Sequence, residues 1–382
     1  MKNAFMLLKE FEKLGYKAYI VGGSVRDYLL KSDSFDIDIA TSATPDEVMA
    51  NFKSVPIGLK YGTVLVCFEG EKFEVTTFRK DLTYYNNRHP DSVIFSQSIE
   101  EDVLRRDFTI NGMYLDTNFE IIDLVNGQED LKKRLIKTIG NPNERFKEDA
   151  LRILRAFYLV SKLNFHIEKN TLNSIIKNKE LIKNVSAERI FRELEKIISY
   201  ENSFNALELL IDTGVYLYLP GLSKGIKYMV DNNIDLKGQF FFAMCFYKNG
   251  KIDKFWKISN SEKKIYQGTL NLLNAKETFN NNLLYQHKLE EIIMAAKLNE
   301  YLNIYPLNQE EMIKMYYNLP IKEEKELKIT NKEIISLVNQ KPGAWLKELK
   351  KEIIDQILSN KLDNDYDEIS KYIEKRKDKN EK

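Results

Sequence analysis

The chain has 382 residues, of which 43% are hydrophobic and 30% are charged, so it is long enough for two or more domains. Its formal net charge of +1 excludes a strongly basic protein overall, although a locally basic face for nucleic acid remains open. No apolar stretch approaches the ~20 residues of a membrane span and the N-terminus lacks a signal-peptide pattern, so we expect a cytoplasmic protein with no membrane segment. Cys67 and Cys245 lie far apart in apolar surroundings, which predicts buried free thiols and neither a disulfide nor a zinc site.

The first elements alternate between helix and strand patterns. Apolar spacing predicts a helix over 5–14 that ends at Gly15, and KAYIVGG predicts a short strand that runs into a diglycine. SVRDYLL then predicts the start of a helix. The alternation in FDIDIAT predicts a strand with Asp36 and Asp38 on one face.

The next segments complete an α/β region and then change character. TPDEVMANF predicts a helix with Thr44 as its N-cap, and GTVLVCFEGEKFEVTTF predicts a hairpin that turns near Glu69. From about residue 141, helical periods dominate in ERFKEDALRILRAFYLVSKL, SAERIFRELEKII and NALELLIDTG. The sequence therefore predicts an α/β part over 1–140 and an elongated helical part over 141–382.

Asp36 and Asp38 form an Asp-x-Asp pair on one predicted strand. Two like charges on one face are costly unless a cation joins them. Oxygen-rich sites of this kind suit Mg²⁺, which also takes phosphate oxygens as ligands. Alone, the pair is a weak signal, because it is more often typical of a solvated strand face.

A diglycine and an arginine precede this pair in Gly22-Gly23-Ser24-Val25-Arg26. Glycines let the backbone approach a phosphate closely, and free N–H groups at a helix start favour an anion. Arg26 can add a charged fork for phosphate, or it can simply pair with Asp27 in a tight turn. Because these features occur together in one short span, they favour phosphate and metal chemistry.

IVGGSVRDYLL…FDIDIATSATPDEV resembles the first motif of the polymerase-beta-like nucleotidyltransferases, in the branch of the class II CCA-adding enzymes and bacterial poly(A) polymerases. RRDFTING resembles the second motif, and IIDLVNGQEDLKKRLIKTIGNPNERFKEDALRILRAF and SAERIFRELEKI continue the match in the family's order. The resemblance implies an α+β fold: a mixed-sheet nucleotidyltransferase head over 1–140, then an all-α region. That region would comprise a nucleotide-selecting neck over 141–205 and a tRNA-binding body and tail over 206–382.

The resemblance also implies roles for the first motif. Asp36 and Asp38 would be catalytic and bind Mg²⁺, and Gly23 and Arg26 would contact the triphosphate of CTP or ATP. The residues themselves suggested the same roles.

In the second motif, Arg106 matches a nucleotide contact of the resembled family, although a salt bridge to Asp107 or Glu101 is the ordinary alternative. Glu74, on a predicted strand in FEVTTF, is a weaker candidate for a third carboxylate because nearby lysines offer it ordinary ion pairs.

EDALRILRAF begins at Glu148, and a continuous helix would place Glu148, Asp149, Arg152 and Arg155 along one face. A surface ladder of salt bridges is the ordinary reading. However, cytosine and adenine both show an amino donor beside a ring-nitrogen acceptor, while uracil and guanine show the reverse. Asp149 could accept from the amino group and Arg152 could donate to the ring nitrogen.

In the resembled family this motif replaces a nucleic-acid template. Glu148 would orient Arg152, and Arg155 would help to hold base or phosphate. One turn further, many relatives carry another arginine where this chain has Tyr158, which puts that phosphate contact in doubt.

Template-independent addition of CCA to tRNA 3′ ends, with CTP, ATP and Mg²⁺, is therefore the predicted activity. In the resembled family, the region of the run YYNNRHPDS, which includes His89, holds a flexible loop needed for adding the final A, so it favours a full CCA-adding or an A-adding enzyme. An A-adding enzyme is therefore one alternative. A poly(A) polymerase is another, although the C-terminus lacks the strongly basic extension that such relatives tend to have. A catalytically silent RNA-binding protein is a remote third. The sequence does not fix the oligomeric state and leaves a homodimer open.

Overall fold

The computed structural model describes residues 1–32, 36–81, 93–275 and 278–380. The chain forms two compact units, residues 1–238 and 239–382, each with its own buried apolar side chains. A mixed sheet with helices occupies the first part and the remainder is helical, which confirms the predicted fold class. None of the helices in these described ranges combines the length and the apolar character needed to cross a membrane. The finer division into 1–140, 141–205 and 206–382 stays a prediction.

The first unit contains one seven-stranded sheet and two small two-stranded sheets. The strands are β1 (Ala18–Val21), β2 (Asp38–Thr41), β3 (Ser54–Gly58), β4 (Thr63–Phe68), β5 (Glu71–Thr77), β6 (Arg79–Asp81), β7 (Val93–Phe95), β8 (Met113–Leu115), β9 (Ile121–Asp123), β10 (Leu135–Ile136) and β11 (His166–Ile167). The large sheet has the order β3-β4-β5-β2-β1-β8-β9, and within it β2 and β5 run parallel while the other neighbours are antiparallel.

The register of this sheet places four residues in one row at the same end. Asp38 of β2 lies opposite Val21 of β1 and beside Glu74 of β5, while Tyr114 of β8 lies opposite Val21. Directly paired residues project from the same face of a sheet. Val21 and Tyr114 are buried, whereas Asp38 and Glu74 are exposed. The row therefore has two buried residues at one side and two exposed carboxylates at the other.

The described residues of the first unit also form eleven α-helices. They are α1 (Lys2–Lys13), α2 (Gly23–Leu29), α3 (Pro45–Asn51), α4 (Ile99–Leu104), α5 (Gly127–Lys132), α6 (Pro142–Glu148), α7 (Leu151–Leu163), α8 (Lys169–Asn178), α9 (Ala187–Ser199), α10 (Ser203–Thr213) and α11 (Ser223–Asp231). The predicted cap of α3 is present, since Thr44 and Glu47 form a reciprocal capping box. The predicted hairpin turn at Glu69 is also present, between β4 and β5.

Helices α7, α9 and α10 pack together through apolar residues at helical spacing. Leu154 and Phe157 of α7 and Ile190 and Leu194 of α9 are all fully buried. Burying side chains of this size is worth about 1.5–3 kcal/mol each before the cost of ordering them. This packing fixes the polar edges of α7 and α9, which carry the residues described below.

The second unit is helical throughout its described residues. Its helices are α12 (Gly238–Asn249, which begins at the boundary), α13 (Asn260–Asn274), α14 (Asn281–Tyr285), α15 (Leu289–Leu302), α16 (Gln309–Tyr317), α17 (Asn331–Val338), α18 (Ala344–Leu358) and α19 (Tyr366–Asn380). Cys245 is buried in α12, as predicted, but Cys67 is half-buried because its position near the end of β4 leaves it partly open. Both thiols are free.

Candidate active site

The glycine turn after β1 brings the backbone against the carboxylate row. Gly22 has a φ of 70°, in the left-handed region that favours glycine. A Cβ at this position would lie 3.6 Å from an Nη1 of Arg106 and 3.9 Å from an Oδ2 of Asp38. The turn therefore carries no side chain where an arginine and an aspartate face each other.

Asp36 and Asp38 both line the cleft, but they do not share one strand as predicted. β2 begins at Asp38, so Asp36 precedes the strand. The reason is local: the Oγ of Ser24, in α2, donates to the carbonyl oxygen of Asp36 over 2.6 Å and accepts from the N–H of Asp38 over 3.1 Å. These bonds tie the residues before β2 to the helix start and take the place of ladder hydrogen bonds.

The carboxylate of Asp38 reaches the cleft surface, yet the surrounding walls limit its hydration. This burial, with the nearby charges of Glu74 and Asp36, raises the pKa of Asp38 to about 6, although Arg106 and Arg155 act in the opposite direction. A carboxylate that is destabilised by like charges has a driving force to accept a cation. Glu74 was a weak candidate for a third active-site carboxylate from the sequence. The strand register places it directly beside Asp38.

The donor chemistry of this cluster fits Mg²⁺. Within the described residues no group of three or more His, Cys, Asp or Glu side chains is arranged to hold a metal ion alone. Mg²⁺ commonly binds through one or two carboxylates and completes its shell with waters and substrate phosphates. Asp36 and Asp38 supply that number of carboxylates beside an open cleft.

Arg26 is buried and already has protein partners. Its Nη2 lies 2.8 Å from an Oδ1 of Asp27, and its Nη1 donates to the Oδ1 of Asn111 over 2.6 Å. The alternative of an ion pair with Asp27 is therefore present. A Cβ on Gly23 would come within 3.1 Å of the Arg26 guanidinium, so glycine at this position lets the backbone pack against it.

Arg106 lies on the cleft wall and is held by Asp102, not by Asp107 or Glu101. Its Nη2 lies 2.8 Å from an Oδ2 of Asp102, and its guanidinium lies 5.0 Å from the centre of the Tyr114 ring. Burial raises the pKa of Asp102, but the charges of Arg106 and Arg105 and the hydroxyl of Tyr114 outweigh it, and the net pKa is lowered. This carboxylate stays ionised and fixes the direction of Arg106.

Arg155 of α7 reaches across to the second motif. Its Nε donates to an Oδ2 of Asp107 over 2.6 Å, and Asn111 donates to the other oxygen over 3.1 Å. Burial raises the pKa of Asp107. The charge of Arg155 and the hydrogen bonds from Asn111, Arg155 and Phe108 have the opposite effect and outweigh it, so the net pKa is lowered to about 2. The second motif is thereby joined to the helix that carries Arg152.

The predicted continuous helix over EDALRILRAF is wrong, because α6 ends at Glu148 and α7 begins at Leu151. Asp149 lies between them with φ −142° and ψ 103°, an extended conformation. Its Oδ1 accepts from the N–H of Leu151, the first residue of α7, over 3.1 Å. Arg189 of α9 forks onto both carboxylate oxygens, with distances of 3.2 and 2.7 Å. Asp149 is therefore positioned by α9 and by the start of α7.

Arg152 is buried and contacts Glu148 and two backbone carbonyl groups. An Nη1 of Arg152 lies 2.8 Å from an Oε2 of Glu148 and also donates to the carbonyl oxygen of Arg145 over 2.8 Å. Its Nη2 donates to the carbonyl oxygen of Arg105 over 3.1 Å. The structure thus brings Glu148 into contact with Arg152, as the sequence suggested.

Two adjoining cavities are lined by the predicted site residues Gly23, Arg26, Asp36, Asp38, Arg106, Asp149, Arg152 and Arg155, whereas Glu74 and Glu148 line neither. The first has a volume of about 360 Å³ and is lined by Gly22, Gly23, Asp38, Arg79, Arg105, Arg106, Asp107, Asn111, Asp149, Leu151, Arg152, Arg155 and Arg189. The second has a volume of about 450 Å³ and is lined by Gly23, Arg26, Asp27, Ser32, Asp36, Asp38, Asn111, Arg155, Tyr158, Lys162, Lys196 and Tyr200. Their shared wall contains Gly23, Asp38, Asn111 and Arg155.

Sequence reasoning missed Arg189, Asp102, Lys196 and Tyr200 as members of the site. Arg189 and Lys196 occur in SAERIFRELEKI, which was noted only as a motif, and its helical period could have indicated that the two lie seven residues apart on one face. The loop with His89 lies outside the described residues.

Three family models match successive parts of the chain. Residues 18–137 match a family described as Poly A polymerase head domain, residues 164–226 match Probable RNA and SrmB-binding site of polymerase A, and residues 241–373 match tRNA nucleotidyltransferase domain 2.

Relatives that align with this chain over nearly their whole length are named CCA-adding enzymes. The chain is 36% identical over 389 residues to the CCA-adding enzyme of Bacillus cytotoxicus, covering 98% of both chains, and 36% identical over 403 residues to that of Enterococcus faecalis, covering 100% of this chain and 97% of the relative. A crystal structure of the Bacillus stearothermophilus CCA-adding enzyme in complex with CTP superposes with a TM-score of 0.85 at 32% identity, covering 100% of this chain and 98% of the other. The chain belongs to the CCA-adding enzyme family of nucleotidyltransferases.

Proposed function

We propose that this protein adds C, C and A to the 3′ ends of tRNA, using CTP and ATP. The observation that carries the proposal is the first cavity, where Asp149 and Arg152 lie in the same 360 Å³ space as Asp38. Such a space can hold one nucleotide, with its base at one end and its α-phosphate at the other. Relatives named CCA-adding enzymes, 36% identical over nearly their whole length, support the assignment.

Base choice would rest on two side chains. Asp149 accepts a hydrogen bond from the amino group of cytosine or adenine, and Arg152 donates to the adjacent ring nitrogen. Uracil and guanine would instead bring a carbonyl towards Asp149 and an N–H towards Arg152. A site built to satisfy one pattern rejects the other because its polar groups would be left unpaired. Glu148, which contacts Arg152 over 2.8 Å, would hold that guanidinium in the reading direction.

Transfer would take place at the shared wall of the two cavities. The oxygen of the tRNA 3′-hydroxyl forms a bond to the α-phosphorus, and the bond from that phosphorus to the oxygen bridging to the β-phosphorus breaks. Pyrophosphate leaves with the electron pair, and the hydroxyl proton leaves to solvent. Mg²⁺ held by Asp36 and Asp38 would neutralise charge on the attacking and leaving oxygens. Gly23 and Arg26 would lie along the phosphates, and Arg106 would contact the nucleotide from the wall opposite Gly22.

An A-adding enzyme and a poly(A) polymerase of the same family are the alternatives. Both would use the same carboxylates, so the chemistry of the site alone does not distinguish either of them from a CCA-adding enzyme. A catalytically silent RNA-binding protein is disfavoured because the Asp36/Asp38 pair is intact. The helical residues 206–382 are proposed to bind tRNA.

Incorporation of labelled nucleotides tests the proposal. The full-length protein is incubated with tRNA that lacks CCA, and separately with tRNA that ends in CC, in the presence of Mg²⁺ and all four nucleoside triphosphates, of which one is labelled at a time. We expect two CMP and one AMP per tRNA, with no UMP or GMP, and no transfer by Asp36→Ala or Asp38→Ala. Long A tails would favour a poly(A) polymerase, addition only to tRNA that already ends in CC would favour an A-adding enzyme, and no transfer would exclude all three.

A further inference from the structure

One end of the second cavity carries positively charged side chains that have no role in the proposed base reading or metal binding. Tyr158 and Lys162 of α7 line it together with Lys196 of α9 and Tyr200, the residue that follows α9. The Lys196 Nζ lies 5.7 Å from the centre of the Tyr158 ring, and the Tyr158 and Tyr200 rings lie 5.8 Å apart. These contacts gather two ammonium groups and two hydroxyls at one end of the cavity.

The charges of this end are only partly neutralised. The Nζ of Lys162 lies 2.9 Å from an Oδ2 of Asp27, which also pairs with Arg26. Lys196 is about half exposed, and its ion pair with Glu193 is long, at 3.7 Å. A compact ligand with several negative charges would therefore find incompletely compensated cations here.

The shared wall decides which part of a nucleotide would reach this end. If the base lies at Asp149 and Arg152 in the first cavity, the α-phosphate lies at Asp38, which borders both cavities. The β- and γ-phosphates continue away from the base, and hence into the second cavity.

We propose that Lys162 and Lys196, with the hydroxyls of Tyr158 and Tyr200, bind the β- and γ-phosphates and then the pyrophosphate that leaves. This inference rests on the proposed function, which takes a nucleoside triphosphate as the substrate and places its base at Asp149 and Arg152. Burial and the hydrogen bond with Tyr158 raise the pKa of Tyr200, so its hydroxyl keeps its proton and remains a donor. Tyr158 occupies the position where many relatives carry an arginine, and Lys196 places a cation directly over its ring.

Comparing how the full-length protein binds CTP and CMP tests the proposed contact with the β- and γ-phosphates, because CMP lacks both. Isothermal titration with Mg²⁺ and without tRNA gives both dissociation constants. A charged hydrogen bond corresponds to about a tenfold or larger change in affinity. We expect Lys196→Ala to weaken CTP binding about tenfold, with CMP binding changed less than about twofold and inhibition by inorganic pyrophosphate weakened in parallel with CTP. Lys196→Arg should restore most of the CTP affinity, since it keeps the charge.

Lys177→Ala is the matched control, because Lys177 is an exposed lysine of α8 that lines neither cavity. Equal losses for CTP and CMP in Lys196→Ala, or unchanged CTP binding, would overturn the inference. Unchanged CTP binding with a raised KM for tRNA would assign this end to the phosphates of the RNA instead. A wild-type protein that binds no CTP would contradict the proposed function itself, so the two failures are distinguishable.

Discussion

At the scale of single residues, the position of Asp149 depends on a partner that comes from another helix. One carboxylate oxygen accepts from the N–H of Leu151 at the start of α7, and both oxygens accept from the guanidinium of Arg189. A two-point arginine fork fixes the plane of a carboxylate as well as its place, which a lysine cannot do. Under the proposed function, the direction of the base-reading oxygen is therefore set by α9.

Removing this fork should relax nucleotide choice. In Arg189→Ala we expect the ratio of kcat/KM for CTP to that for UTP to fall about tenfold or more, because Asp149 would rotate away from the reading direction. Asp149→Ala should relax the choice among all four nucleotides, and Arg189→Lys should recover part of the ratio. The measurement is a single addition to tRNA that ends before its CCA.

Arg192→Ala serves as the control for this series. Arg192 lies on the same helix, is exposed and lines neither cavity. The positioning role would be wrong if Arg189→Ala kept the wild-type ratio, or if Arg192→Ala lowered it as much.

At the scale of elements, local signals were sufficient where the cause is local. The N-cap of α3 at Thr44 and the hairpin of β4 and β5 depend on residues close in the sequence, and both were predicted correctly. The break between α6 and α7 was not predicted, since the apolar period continues through it without proline or glycine. The one available signal was an aspartate at the break, whose short side chain bonds to the N–H of Leu151 two residues on and so competes with helical hydrogen bonding.

The sequence likewise predicted the parts of the site that depend on neighbouring residues, but not the parts that depend on distant ones. Gly23, Arg26, Asp36 and Asp38 lie close together in the sequence, so their pattern alone indicated phosphate and metal chemistry. The partners of Arg106 and Asp149 were not predictable in this way. Asp149 meets Arg189, which is forty residues away, only through the packing of α7 against α9.

The ion pair between Asp107 and Arg155 joins the second motif to α7 and should make the first unit sensitive to acid. The folded protein lowers the pKa of Asp107 from its ordinary value to about 2. A lowered pKa contributes stability that is fully present above the ordinary value, near 4, and is lost as the pH falls towards 2. For a gap of this size the contribution is roughly 2 kcal/mol.

Asp107→Asn should therefore be less stable than the wild type at pH 7, by roughly 2 kcal/mol, and the difference should shrink between pH 4 and pH 3. Thermal unfolding followed by far-UV circular dichroism at pH 7, 5, 4 and 3 provides the measurement. Asp231→Asn removes a surface ion pair with Lys227 and should change stability by less than about 0.5 kcal/mol. A deficit in Asp107→Asn that stayed constant down to pH 3 would count against the ion pair as its source.

At the scale of the whole molecule, every residue assigned to the site lies in the first unit, 1–238. The second unit has its own buried side chains, including Phe246 of α12 and Ile353 of α18. The division into head, neck, and body and tail, the cytoplasmic location and the homodimer remain predictions. Two units with separate cores are expected to unfold as separate cooperative transitions.

The two tryptophans make this expectation measurable. Trp256 and Trp345 are the only tryptophans of the chain, and both belong to the second unit. A ligand that binds only the folded first unit stabilises it by about 2.7 kcal/mol at one hundred times its dissociation constant. CTP with Mg²⁺ should therefore raise the unfolding midpoint of the first unit by a few degrees in calorimetry, while the midpoint from tryptophan fluorescence stays unchanged. UTP at the same concentration should shift the first transition less, because it does not satisfy Asp149 and Arg152. Equal shifts of both midpoints with CTP would mean that the two units unfold as one, since the ligand would then stabilise side chains that it does not touch.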